Sequence, residues 1–97
     1  MQNYRNESID NLFKTISKLN SVEDCSKFFE DLCTIKEIQD MAQRFDTAIL
    51  LNKGESYQTI SSKVGVSSAT ISRVNSCLNY GSGGYKKAIA DMEKGNK

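Results

Sequence analysis

The side chains best suited to specific hydrogen bonding are concentrated in residues 56–76, which read SYQTISSKVGVSSATISRVNS. Hydroxyl groups dominate this stretch, and one guanidinium lies among them. Such groups donate and accept hydrogen bonds, but a hydroxyl becomes a nucleophile only beside an activating base. The sequence has no histidine, which excludes a Ser-His-Asp triad, an HExxH site and imidazole metal ligands. The expected chemistry is therefore molecular recognition, and we do not expect an enzyme.

The three cysteines, Cys25, Cys33 and Cys77, do not indicate metal or redox chemistry. Their number is odd, and no two of them have the CxxC spacing. A zinc site or a disulfide framework is therefore not expected, and the thiols are typical of a reducing cytoplasm. We predict that Cys25 and Cys33 are small core residues, and that the protein binds no metal and no cofactor.

The spacing of apolar residues within 56–76 predicts two short helices joined by a tight turn. Ser56 and Ser67 are suited to N-cap the two helices. Gly65, between them, accepts the left-handed φ that a sharp turn requires. This is the layout of a helix-turn-helix, although Ser61 stands where that pattern usually has Ala. The residues expected to face inward are Ile60, Val64, Val66, Ile71, Val74 and Leu78.

The second of these helices is expected to present small polar side chains near its N-terminus, namely Ser68, Ala69, Thr70, Ser72 and Arg73. Small side chains allow a helix to approach base edges in a DNA major groove, which is about 12 Å wide. The unpaired N–H groups at the helix N-terminus also favour a phosphate. We therefore predict double-stranded DNA as a partner. The alternative is a protein-interaction adaptor of the same shape, because Arg73 is the only basic residue in this helix.

The distribution of charge agrees with a polyanionic partner for the second half of the chain. Residues 1–50 contain six Lys or Arg against nine Asp or Glu, whereas residues 51–97 contain seven against three. The halves therefore carry net charges of −3 and +4, although the whole chain carries only +1. A basic half favours binding to nucleic acid.

The rest of the sequence predicts further amphipathic helices and an all-α single domain, 1–97. Ser8 and Ser21 are candidate N-caps of the first two helices, and Thr34 with Glu37 forms a capping box that starts a third. Gly54 is a natural end for this third helix. No apolar run approaches the roughly 18 residues of a membrane span, and because the cysteine pattern is typical of a reducing compartment we expect a cytoplasmic protein. The predicted regions are dimerisation helices over 8–53, the helix-turn-helix over 56–79, and a C-terminal helix over 82–94.

The segments RFDTAILLNKGESYQTI and ATISRVNSCLN resemble the Trp repressor family, and in particular its small YerC/YecD-type members. The resemblance implies about six helices, with N-terminal helices that interlock with those of a second copy to form an intertwined homodimer. It implies a transcription regulator that binds a palindromic operator, and the expected activity is repression. The DNA-binding residues expected on this basis are Gln58, Lys63, Ser67, Ser68, Ala69, Thr70, Ser72 and Arg73.

The resemblance also implies a possible ligand pocket formed by Arg44, Arg73, Val74 and Cys77. In Trp repressor, two Arg side chains sandwich the indole of tryptophan, and Arg44 and Arg73 occupy the matching positions. However, Val74 stands where that family has Gly, and Cys77 stands where it has Ser. A bulkier side chain and a weaker hydrogen-bonding group do not suit the ligand, so tryptophan is not expected as a co-repressor. The alternative role of Arg44 is a salt bridge, either on the surface of the chain or to an acidic residue of the second copy.

Overall fold

A computed structural model describes residues 3–95 of the chain, and within that range it contains six helices and no strand. The helices are α1 (Glu7–Ser17), α2 (Val22–Leu32), α3 (Ile35–Asn52), α4 (Tyr57–Val64), α5 (Ser68–Tyr80) and α6 (Gly84–Gly95). The predicted all-α class is thereby confirmed. None of these helices combines the length and the apolar character needed to cross a membrane.

The starts of the first three helices follow from capping side chains. Ser21 caps α2, because its Oγ accepts a hydrogen bond from the Asp24 N–H at 3.0 Å. The predicted capping box is also present: the Thr34 N–H donates to Glu37 Oε1 at 2.8 Å, and the Glu37 N–H donates to Thr34 Oγ1 at 3.1 Å. The prediction for α1 was wrong, because Asn6 and not Ser8 is its N-cap. The Asn6 carbonyl oxygen Oδ1 accepts from the Ile9 N–H at 2.8 Å, so the helix begins two residues earlier than expected.

The long helix α3 ends at a Schellman motif centred on Gly54. The Glu55 N–H donates to the Leu50 carbonyl oxygen at 3.1 Å, and the Gly54 N–H donates to the Leu51 carbonyl oxygen at 3.0 Å. Gly54 has a φ of +88°, a conformation that residues with a Cβ adopt only at a cost. The predicted end of this helix is correct, and it fixes the start of the segment that leads into α4.

The chain divides into two compact units with a boundary between Ile38 and Gln39, inside α3. In the first unit, no side chain of α1 or α2 is buried within the single chain. Val22 is 88% exposed, Ile35 is 63% exposed and Leu32 is 50% exposed. Two short helices cannot cover their own apolar faces, so these faces remain accessible in one copy.

The second unit has a buried core made by three helices. Ala48 of α3, Val74 and Leu78 of α5, and Ile89 of α6 form one cluster of buried side chains. Phe45 and Tyr85 pack against this cluster, and their rings stack with centroids 6.5 Å apart. This core holds α5 by its inner face, which leaves its outer face available for contacts.

Candidate nucleic-acid interface

The α4–α5 pair forms the predicted pair of helices with a tight turn. The Ser56 Oγ accepts from the Thr59 N–H at 3.1 Å, and the Ser67 Oγ accepts from the Thr70 N–H at 3.2 Å, so both serines are N-caps. Gly65 follows the last residue of α4 with a φ of +83°. No atom lies within 4 Å of the position that a Cβ on Gly65 would occupy, so the turn needs glycine for its backbone conformation and not for space.

The inner side of this pair is apolar and fully enclosed. Ile60 of α4 and Ile71 of α5 are both 0% exposed, and the two helices pack against each other. Val74 and Leu78 continue the buried face of α5, whereas Val66 is half-buried in the turn. Because the inner positions are occupied by these side chains, the polar positions between them must point away from the core.

The polar side chains at the start of α5 lie at the surface. We call Ser67, Ser68, Ala69, Thr70, Ser72 and Arg73 the recognition surface. All of them are exposed except Thr70, which is half-buried. Thr70 is less exposed than expected, and its Oγ1 accepts a hydrogen bond from the Ser67 hydroxyl at 3.2 Å. Gln58 and Lys63, which were predicted from the family resemblance, are exposed on α4.

The electrostatics of the recognition surface favour an anion. The first turn of α5 contains no acidic residue, so nothing on the helix itself occupies its positive end. Lys63 lies in the last turn of α4, the helix that packs on α5. Among the described residues there is no cluster of cysteine and carboxylate side chains that could hold a metal ion. The exposed hydroxyl groups of the recognition surface can both donate and accept hydrogen bonds.

Sequence reasoning missed one interaction in the turn. The Ser61 hydroxyl donates to the Val66 carbonyl oxygen at 3.0 Å, five residues further along the chain. From the sequence pattern alone, Ser61 is only a departure from the usual Ala. Ser61 is exposed, so its hydroxyl needs no buried partner, and its bond to the turn is an additional contact between α4 and the residues that follow it.

The four predicted pocket residues line a single cleft beside the recognition surface. The cleft has a volume of about 520 Å³. Its walls come from α3, the turn, α5 and the start of α6, and its lining residues are Asp40, Gln43, Arg44, Val66, Thr70, Arg73, Val74, Cys77 and Tyr85. The volume of the cleft lies within the usual range for small-molecule sites. The chemistry of its side chains, rather than its size, therefore determines which ligand it can bind.

The side chains of the cleft differ in their exposure to solvent. Val74 is only 2% exposed and belongs to the core cluster, so it contributes to the base of the cleft. The Cys77 thiol is exposed. Within residues 3–95, neither Arg44 nor Arg73 has an ion-pair or hydrogen-bond partner. Both guanidinium groups are therefore available to an acidic group from outside this chain.

Asp40, Gln43 and Tyr85 are lining residues that the sequence did not identify. Asp40 lies one helical turn before Arg44, so helical spacing from Arg44 was a usable signal for it. No such signal existed for Tyr85, because it belongs to a different helix and reaches the cleft through tertiary packing.

Comparisons with known proteins agree on one relationship. Residues 7–93 match the family model described as Trp repressor protein. The uncharacterized protein YerC of Bacillus subtilis (strain 168) is 48% identical over 85 residues, which cover 88% of this chain and 82% of that protein. A TrpR-like protein from Eubacterium eligens ATCC 27750 has a crystal structure with a TM-score of 0.91 and 39% identity, and the match covers 96% of each chain. A candidate Trp repressor from Staphylococcus aureus also has a TM-score of 0.91, with 40% identity over 96% of this chain and 95% of that one.

Proposed function

Because this chain belongs to the Trp repressor family, we propose that it is a sequence-specific DNA-binding transcription regulator that acts as a homodimer. The family is a regulatory, non-enzymatic one. The observation that carries the proposal is the exposed recognition surface at the N-terminus of α5, held outward by the buried Ile71 and Val74. A helix that presents small polar side chains in this way fits a major groove.

The proposed homodimer rests on the apolar faces of the first unit. No side chain of α1 or α2 is buried within one chain, so their apolar residues can be buried only against the surface of another molecule. A second copy supplies the same faces, as in the interlocked dimers of the family, and a twofold axis gives self-complementary contacts.

The same arrangement supports our proposal of repression at a palindromic operator. Two recognition surfaces related by a twofold axis match two half-sites about one helical turn apart. One copy offers few cations close to its recognition surface, so two copies are needed for useful affinity. A dimer placed on promoter DNA covers it, and we therefore propose repression.

Two exposed residues near the turn are expected to affect DNA binding in different ways. Replacing Lys63 by Ala removes a phosphate contact, so affinity for all duplexes should fall alike and the salt dependence should weaken by about one unit of log–log slope. Replacing Ser72 by Ala removes a single hydrogen bond to a base edge, so preference among operator variants should change by roughly 0.5–1.5 kcal/mol at one base pair. Anisotropy titrations at two salt concentrations measure both effects.

The matched variant for these titrations is Lys94→Ala, because Lys94 is a basic residue in the last turn of α6 and lies outside the recognition surface. A wild-type protein that binds no duplex, or binds with no dependence on salt, contradicts the proposal. The proposal is also contradicted if Lys63→Ala and Lys94→Ala weaken binding equally.

The protein-interaction adaptor remains as a second candidate, and one observation favours it. Arg73 is the only basic residue of α5, so one copy offers little charge to the DNA backbone from this helix. An adaptor predicts a protein partner that is captured by the wild type and lost with Ser72→Ala, together with the absence of a DNA footprint.

We further propose that the cleft does not take tryptophan. Val74 at its base and Cys77 at its edge offer a branched apolar group and a weak hydrogen-bonding group. L-tryptophan at millimolar concentration should leave the melting temperature and the DNA affinity unchanged, because a ligand stabilises only the state that it binds. Differential scanning calorimetry with and without L-tryptophan measures this. A concentration-dependent rise in melting temperature, with no rise for L-leucine, contradicts the proposal.

A further inference from the structure

We propose that Ser61 is a positioning residue for DNA recognition, because its hydroxyl fixes the turn that carries the recognition surface. This inference rests on the function proposed above. Ser61 is exposed, so burial of apolar area does not account for its role. Instead it makes two hydrogen bonds to the turn: its carbonyl oxygen accepts from the Gly65 N–H at 2.9 Å, and its Oγ donates to the Val66 carbonyl oxygen at 3.0 Å.

These two bonds constrain different parts of the turn. The bond from the Gly65 N–H ends α4, as any C-terminal glycine does. The bond from the Ser61 hydroxyl reaches beyond Gly65, the residue at which the chain reverses direction with a φ of +83°. It holds the carbonyl of Val66, and therefore the peptide unit that joins Val66 to Ser67. A residue without a hydroxyl at position 61 keeps the first constraint and loses the second.

The fixed peptide unit leads directly into the recognition surface. Ser67 is the N-cap of α5, and its Oγ both accepts from the Thr70 N–H and donates to Thr70 Oγ1, each at 3.2 Å. A series of hydrogen bonds thus runs from α4 through the turn to Thr70. Base-edge contacts depend on placement to within about half an ångström, so loss of the first bond in the series should reduce discrimination between sequences.

The bond is exposed, and this separates its effect on recognition from its effect on folding. Water replaces the Ser61 hydroxyl at the Val66 carbonyl when the hydroxyl is removed, so folding stability should change little. The expected signature is therefore a loss of specific binding without a matching loss of nonspecific binding.

The test compares the full chain with Ser61→Ala and with Ser61→Thr, which keeps the hydroxyl. Each protein is titrated by fluorescence anisotropy with the operator fragment that the wild type selects, and with a scrambled duplex of equal length. Ser61→Ala should bind the operator about five- to tenfold more weakly and the scrambled duplex within about twofold of the wild type. Ser61→Thr should bind both duplexes within about twofold of the wild type, since the hydroxyl is restored.

An NMR measurement on the DNA-free protein separates the hydrogen bond from the function. The amide of Ser67 follows the Val66 carbonyl, so its resonance should shift more in Ser61→Ala than the amides of α6. An unmoved Ser67 amide, an unchanged operator affinity, or an equal loss on both duplexes overturns the inference. A wild type that binds neither duplex overturns the proposed function and with it the recognition role, while the Ser67 amide still reports on the bond itself.

Discussion

Replacing Ile71 by Ala is expected to lower the free energy of unfolding by about 2–5 kcal/mol, because it removes a large aliphatic group from a closed site. Ile71 is 0% exposed and lies on the inner face of α5, opposite the recognition surface. The free energy of unfolding of a domain of this size is roughly 5–15 kcal/mol, so the expected loss is a large fraction of its stability. Urea denaturation followed by far-UV circular dichroism measures it.

The matched control is Ser72→Ala, one residue further along the same helix. Ser72 is exposed, so its replacement should change stability by no more than about 0.5 kcal/mol, although we expect it to change DNA preference. The two variants together separate the inner face of α5 from its outer face. Equal effects on stability would mean that α5 does not present the surface described here.

Replacing Leu12 by Lys is expected to raise the dissociation constant of the dimer at least about a hundredfold, because an unpaired charge would then be buried between two copies. Leu12 lies on the apolar stripe of α1, and it is only half-buried within one chain. In an isolated copy, the lysine would reach water at little cost. Sedimentation equilibrium measures the dissociation constant, and operator binding should fall with it.

Asn11→Lys is the matched control for this change. Asn11 is the exposed neighbour of Leu12 on the polar side of α1, so the same charge there should leave the dimer intact. A wild type that sediments as a monomer contradicts the proposed dimer. An intact dimer in Leu12→Lys shows that the copies meet through another surface.

Local chemistry predicted most of the helix boundaries. The caps at Ser21, Ser56 and Ser67 and the glycines that end α3 and α4 each depend on interactions within a few residues, which a sequence displays directly. The start of α1 was missed because Asn and Ser are both good caps and the apolar stripe begins at Ile9. The hydrogen bond from the Ile9 N–H to Asn6 decides between them.

The outward face of α5 was predictable from the sequence, whereas the cleft and the turn contact were not predictable from local patterns. The outward position of Ser68 and Ser72 follows from the buried Ile71 and Val74, because helical periodicity fixes which side chains share a face. The cleft was predictable only through the family resemblance, since its walls come from helices far apart in the sequence. The Ser61–Val66 bond joins a side chain to a backbone carbonyl across a turn, and no periodic pattern indicates such a contact.

We propose that two copies of the recognition surface bind DNA together, and the decisive experiment is to sequence the fragments that the purified protein selects from a genomic pool. We expect enrichment of a palindromic motif whose half-sites lie about 10 base pairs apart, centre to centre. Ser72→Ala should select an altered half-site. Fragments without a shared motif, or a motif that is unchanged in Ser72→Ala, would show that the two recognition surfaces do not read DNA together.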